Sequence, residues 1–539
     1  MAEGWSTGEH RTLPALLRAQ AEKFGDRVGV TVNGEEVTYS DLLRRSMSMA
    51  NSLIEFGIER GDVVAMLSEN CPEQIYLQFG TGMIGAMEVM INTAYRGEFL
   101  AHQLRDSGAK ALLVEPGLLE HVLAVLPALT ALRTIVVLGS LTDDLARVDG
   151  GVRALGIDAL RTGDTERLTV PAKPEWSDPC TIVYTSGTTG PSKGALMSHH
   201  YMVTLGMQQA RMWWRTDGDV FYACTPMFHL ASKGVGVMAA LTKGARCVLD
   251  DRFSVTSFWR RVREESCTAT ILLGSMIPML AARAPSEEEG IDVIVALPIA
   301  ADLQAPLEER WRCKFETVYG MSEAAPLVVS DTTTRLRPGS AGKVNADYFD
   351  VRIVDDDGGE VPTGEVGEIV ARPRQPHVMF DGYYRNPEAT LSHFRDLWFH
   401  TGDLGRVDDD GFFYFLDRKK DYLRRRGENI SSFEVEMAIM RHPDVLEACV
   451  VGVASELTEE EVKAVVVVRP GSSPSVEKLL DHCIQNMPYF AVPRYIEIAD
   501  DLPRTPSGKV EKYKLRADGV TADCWDREAA GIVVRRVRA

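Results

Sequence analysis

Strand and helix signals alternate from the start of the chain, and this restricts the fold more than any other property of the sequence. Ser40 is a candidate N-cap, followed by apolar residues at Leu42, Leu43, Met47, Ala50, Leu53 and Ile54, with Gly57 as the stop. Next come the strand-like 63–67, the glycine-rich 80–86 and an apolar run over 88–91. Residues 111–114 and 134–138 read as buried strands between helical stretches, and the polar 139–175 as a connecting excursion. Such alternation predicts an α/β architecture with largely parallel sheets. The length of 539 residues suits roughly three or four domains.

The apolar 181–184 leads directly into Tyr184-Thr-Ser-Gly-Thr-Thr-Gly-Pro-Ser-Lys-Gly194. Glycines let a backbone turn and bring its N–H groups close to phosphate oxygens. Hydroxyls add donors and Lys193 adds a point charge. A plain flexible loop is the bland alternative, but linkers rarely follow a strand and carry such a lysine. A Walker loop is excluded, because its Gly-Lys pair would need glycine where Ser192 stands. The segment is a phosphate cradle of another design.

A net charge of −18 argues against nucleic acid as a main partner, though not against a nucleotide substrate. The nine cysteines are scattered without a Cys-x-x-Cys pair, which predicts reduced thiols rather than a disulfide frame or zinc site. Met1 to Trp5 shows no signal-peptide pattern, and no stretch is apolar for long enough to span a bilayer. The expectation is a cytoplasmic protein with a solvated basic tail at Arg535–Arg538.

From about Ala341 the texture changes to short alternating strands between Asp-Asp-Gly-Gly and Pro-Thr-Gly turns, a small β-rich subdomain. The charge run Asp417-Arg418-Lys419-Lys420-Asp421 marks a second break. Beyond it lie helices over 432–440 and 476–486 and strands over 448–453 and 462–468, a separate core of normal size.

Read together, the motifs resemble the acyl-adenylate-forming superfamily of acyl-CoA synthetases, luciferases and peptide-synthetase adenylation domains, over Tyr39 to Lys514. The resemblance implies a large N-terminal adenylation domain over 1–416, with the β-rich part at 341–416. A hinge at 417–421, a small mobile α+β C-terminal domain over 422–516 and a tail over 517–539 complete the expected order. Thr185, Ser186, Gly187, Thr188, Thr189, Gly190 and Lys193 match the family's phosphate signature, with Pro191-Ser192 where Leu-Pro is usual. Tyr319-Gly-Met-Ser322-Glu323 is similar to the second nucleotide motif, where the aromatic stacks on adenine, the hydroxyl touches the α-phosphate and the glutamate holds Mg²⁺. Alone, that motif would be no more than a capped turn. Thr401-Gly-Asp403 resembles the ribose motif, and Arg418 the arginine that follows it. Lys420 falls at the hinge position and Gly427 at the glycine lining the pantetheine channel. Lys509, after Pro506-Ser-Gly508, matches the adenylation lysine that bridges the carboxylate and the α-phosphate.

On the acyl side, Pro226-Met-Phe228-His229 resembles the pocket border of CoA ligases. Amino-acid-activating relatives carry aspartate where His229 stands, so an amino acid substrate is disfavoured. Ala296 and Leu297 stand where the family is richer in glycine, and would shape the acyl pocket. Lys233 interrupts an apolar stretch and is expected either in solvent or against a polar group of the substrate or CoA. Arg424 to Arg426 are expected in solvent or on CoA phosphates. The function implied is an ATP- and Mg²⁺-dependent acid–CoA ligase acting on an apolar carboxylic acid. A free-standing activator loading a carrier-protein thiol is the alternative. An outsider, a dinucleotide oxidoreductase, would need a strand ending directly before Gly234-Val-Gly236, where Pro226 to Lys233 intervenes.

Overall fold

The structure is a computed structural model that describes residues 11–139, 151–160, 173–185, 192–213, 216–273, 276–284, 289–297, 299–330, 336–419, 423–425, 428–430, 432–454, 460–487, 489–504 and 510–534. The chain divides into two compact units, Met1–Asp350 with Arg372–Leu397, and Val351–Ala371 with Trp398–Ala539.

The first unit is built on two sheets. In the eight-stranded sheet the strands Pro179–Thr185, Met87–Met90, Val63–Leu67, Ala111–Val114, Thr134–Val137 and Arg153–Gly156 lie side by side and parallel. Val63–Leu67 and Ala111–Val114 are apolar throughout and buried at every position, because both faces of a parallel sheet are covered; Met87–Met90 is equally buried although it carries Glu88. The helix expected after Ser40 runs over Tyr39–Glu55, and its cap is Thr38, whose Oγ1 accepts from Asp41 N at 3.1 Å. The excursion over 139–175 contributes the edge strand Arg153–Gly156.

The second sheet has nine strands. Lys314–Met321, Val293–Leu297, Ala269–Leu273, Val220–Ala223, Arg246–Leu249 and Val28–Val32 form its parallel centre. The glycines of the loose dinucleotide pattern fall inside a π-helical segment, Ala231–Met238, so the strand–turn–helix context of such a site is not formed there.

The second unit carries the antiparallel pairs Gly367–Pro373 with Trp398–Val407 and Trp398–Val407 with Phe413–Arg418. A further sheet orders Val445–Ala454, Glu460–Val468, Tyr495–Ala499 and Trp525–Asp526. One core beneath it gathers Val450, Ala464 and Ile496 of the sheet with Ile439 and Leu480 of the helices Ser432–Met440 and Val476–Asn486. The residues expected as a tail differ from that expectation through position 534. Trp525 pairs with Ile496, Arg494 bonds Asp526 at 3.1 Å, and Ile532 and Val534 pack on the core, so apolar burial holds this stretch to the sheet. The α/β expectation with a small α+β C-terminal part is met. The nine cysteines, all among the described residues, form no disulfide. No helix among the described residues is long and apolar enough to cross a membrane.

Candidate active site

In parallel sheets ligands gather at the carboxyl ends of the strands. The first unit places four sequence-predicted segments there. Pro179–Thr185 ends at the glycine-rich loop, Lys314–Met321 at Ser322-Glu323, Val293–Leu297 at Leu297 and Val220–Ala223 just before Pro226 to His229. Thr185 and Lys193 face each other across the hairpin beneath the loop.

Both legs of that hairpin are anchored on the helix Gly97–Ser107. Tyr184 donates its hydroxyl to Asp106 Oδ2 at 2.6 Å, and burial, with this carboxylate, raises its phenol pKa. Gln103 Nε2 donates to Ser192 Oγ at 3.2 Å, and His102 Nε2 lies 2.9 Å from Ser192 O. The residues between the legs, Ser186, Gly187, Thr188, Thr189 and Gly190, lie outside the described residues, as do Lys420, Gly427 and Lys509.

Glu323 is buried against this hairpin. Its Oε1 accepts from Tyr383 Oη at 2.6 Å and from Thr185 Oγ1 at 3.4 Å. Lys193 Nζ stands 5.0 Å from the centre of the same Tyr383 ring. The Ser322–Glu323 turn is braced by Tyr201, which donates to Ser322 O at 3.1 Å and accepts from Ala325 N at 3.0 Å. Phe380 N adds a bond to Glu323 O at 2.8 Å. Gly320 is required by the tight hairpin, since a Cβ there would lie 2.8 Å from Ala324 O. Tyr319, on the strand below, is largely buried.

Among the described residues no group of three His, Cys, Asp or Glu side chains could cage a metal. One carboxylate beside a phosphate loop nevertheless suits Mg²⁺, which is commonly held by one or two carboxylates, substrate phosphates and water. Among the described residues both hydroxyl donors to Glu323 reach Oε1, which leaves Oε2 as the oxygen to face a cation.

On the acyl side, Phe228 and His229 are half-buried, with ring centroids 4.5 Å apart. Ala296 packs into the core and its carbonyl accepts from Thr317 Oγ1 at 2.9 Å, so of the two residues expected here Leu297 alone retains exposed surface. Lys233 corrects the sequence reading outright. It is 1% exposed and ion-paired with the fully buried Glu88, away from solvent. The sequence hides this because the partner lies 145 residues away.

In the second unit the ribose-type motif sits in Trp398–Val407. Gly402 takes a left-handed φ of 73°, which a side chain would strain. Asp403 is Arg418's register partner, and Arg418 Nε lies 2.8 Å from Asp403 Oδ1. Sequence reasoning missed Glu368, which organises this turn. Its Oε1 accepts from Gly402 N at 3.2 Å, while its Oε2 lies 3.2 Å from His400 Nδ1 and 3.1 Å from Lys419 Nζ. Burial alone would raise its pKa, but the bonds from His400 and Lys419 hold it below the usual carboxylate range. Arg425 is a second correction: it is buried, with Nε 2.6 Å from Glu461 Oε2 and Nη1 2.8 Å from Phe490 O, not in solvent.

Comparison with known proteins places the chain among adenylate-forming enzymes. Residues 17–384 match the family described as AMP-binding enzyme, and residues 434–509 match the AMP-binding enzyme C-terminal domain. A crotonobetaine/carnitine–CoA ligase of Escherichia coli is 33% identical over 491 residues, covering 89% of this chain and 93% of the relative. The crystal structure of the anthranilate CoA ligase AuaEII with anthranoyl-AMP superposes with a TM-score of 0.84 at 25% identity, covering 97% of this chain and 98% of that one. ATP-bound MatB from Rhodopseudomonas palustris superposes with a TM-score of 0.80 at 25% identity, over 94% and 98% of the two chains.

Proposed function

Because the chain belongs to the AMP-binding enzyme family, we propose that the convergence at its strand ends is the adenylation centre of an ATP-dependent acid–CoA ligase. The observation that carries this is Glu323 bonded to Thr185 and Tyr383, with Lys193 over the same tyrosine ring. A carboxylate oxygen attacks the α-phosphorus of ATP and pyrophosphate leaves, giving an acyl-AMP anhydride. The CoA thiolate then attacks the acyl carbonyl, and AMP leaves with the electron pair of the broken C–O bond.

The loop hydroxyls, backbone and Lys193 hold the phosphates, Ser322 faces the α-phosphate, and Tyr319 meets the adenine. Asp403 and Arg418 hold the ribose. Glu323 would hold Mg²⁺, which when bound neutralises phosphate charge. Lys509 stabilises the charge that builds during adenylation. Lys420 is the pivot between half-reactions and Gly427 lines the pantetheine channel. Phe228, His229 and Leu297 border the acid. His229 in place of an amino-group anchor supports an acid other than an amino acid. The CoA-ligase relatives support CoA as acceptor over a carrier-protein thiol. Nine cysteines without a disulfide support a reducing compartment, the cytoplasm.

The acceptor is tested by acid- and thiol-dependent AMP release with CoA and, separately, with a phosphopantetheinyl carrier protein. Saturable AMP release with formation of a CoA thioester is expected. Release with the carrier protein alone would move the acceptor to that protein.

A further inference from the structure

We propose that Lys233, through Glu88 and Thr181, is a positioning residue that fixes the acid-binding segment against the strand leading into the phosphate loop. The inference rests on the ligase reading above. Lys233 lies one turn after His229, and its backbone N donates to His229 O at 3.1 Å. Its side chain runs inward, where Nζ meets the carboxylate of Glu88 and donates to Thr181 Oγ1 at 3.2 Å. Glu88 and Thr181 are register partners on adjacent parallel strands, so they present a two-strand platform to one ammonium. The strand bearing Thr181 continues to Thr185, which bonds Glu323.

The opposite end of the segment is pinned independently. Asn70 Oδ1 accepts from Met227 N at 2.9 Å and its Nδ2 donates to Thr225 O at 3.2 Å. Ser232 Oγ closes the segment on itself by donating to Thr225 O at 2.5 Å. Residues 225–233 are thus tied at both ends, while Phe228 to Ala231 between the ties keep exposed surface.

Stability alone does not account for the pair. Burying two charges costs desolvation, and an apolar pair of similar volume often serves stability equally well or better. Here Glu88 Oε2 is buried without a hydrogen-bond partner among the described residues. What the pair adds is direction: apolar packing lets a helical turn slide, whereas an ion pair plus a hydroxyl bond fixes one position. That position sets His229 relative to Thr185.

The test uses the full chain with the volume-matched double substitution Lys233→Met/Glu88→Leu, which leaves no lone buried charge, and Thr181→Val, which keeps the ion pair. The double variant is expected to unfold near the wild-type midpoint. Its amides over 225–233 are expected to exchange about tenfold faster. Its KM for the acid should rise about tenfold or more, with KM for ATP within about twofold. Thr181→Val should shift both readouts the same way by less, and it carries the test if the double variant does not fold. Wild-type exchange over 225–233 in the variants, or an equal rise in both KM values, overturns the proposal. Exchange needs no substrate, so a wild-type enzyme silent toward every acid would count against the ligase reading and leave the exchange result to decide the positioning role.

Discussion

Lys509→Ala is expected to lower acid-dependent pyrophosphate release by about 10²–10³-fold, the usual loss when one preorganised donor to a developing anion is removed. During attack on the α-phosphorus, negative charge accumulates on the phosphoryl oxygens while the carboxylate gives up its own. A lysine ammonium reaching both groups stabilises the transition state more than the separated ground-state ions. Thioester formation from supplied acyl-AMP begins after that charge has left with pyrophosphate, so it should proceed within a few-fold of wild type. Single-turnover assays of the two half-reactions separate these effects. Equal loss in both would remove Lys509 from the role given to it.

The second large effect concerns stability. Arg425→Met is expected to destabilise the second unit by about 3–5 kcal/mol, the usual cost of breaking a buried ion pair from one side. Arg425 sits at the end of Leu423–Arg425, which pairs with Glu428–Ile430, and both Leu423 and Ile430 enter the core. The guanidinium holds Glu461, which is 1% exposed, and the carbonyls of Phe490 and Val492. Methionine leaves that carboxylate without its guanidinium. Arg425→Met/Glu461→Leu should recover most of the loss, because it removes both charges. Unfolding of the full chain, followed by probes in the second unit, measures this. A loss below about 1 kcal/mol for the single variant would mean the pair is solvated rather than buried.

These residues also mark the boundary of what was legible in the sequence. Strands 63–67 and 111–114 and helices 432–440 and 476–486 could be placed because their apolar spacing is local and dictates burial. The place of the hairpin that carries the glycine-rich loop and of the Ser322-Glu323 turn at strand ends could be read because each motif is contiguous and follows a strand. What escaped was pairing over distance. Lys233 and Arg425 carry no sign of their burial, since the carboxylates that permit it come from Glu88 and Glu461, on strands elsewhere in the chain. Glu368, Asp106 and Tyr201 escaped for the same reason: each holds a motif from outside it. Thr38 displaced Ser40 as the cap because a hydroxyl on either residue would satisfy the local pattern.

Activation of a carboxylic acid through acyl-AMP is measured by incubating the protein with ATP and Mg²⁺ across a panel of small, aryl and fatty acids, with and without CoA, and quantifying every nucleotide product. The predicted result is pyrophosphate and AMP released only with a subset of acids, with one CoA thioester formed per AMP. Release of ADP and phosphate instead, or no acid-dependent pyrophosphate from any member of the panel, would contradict it.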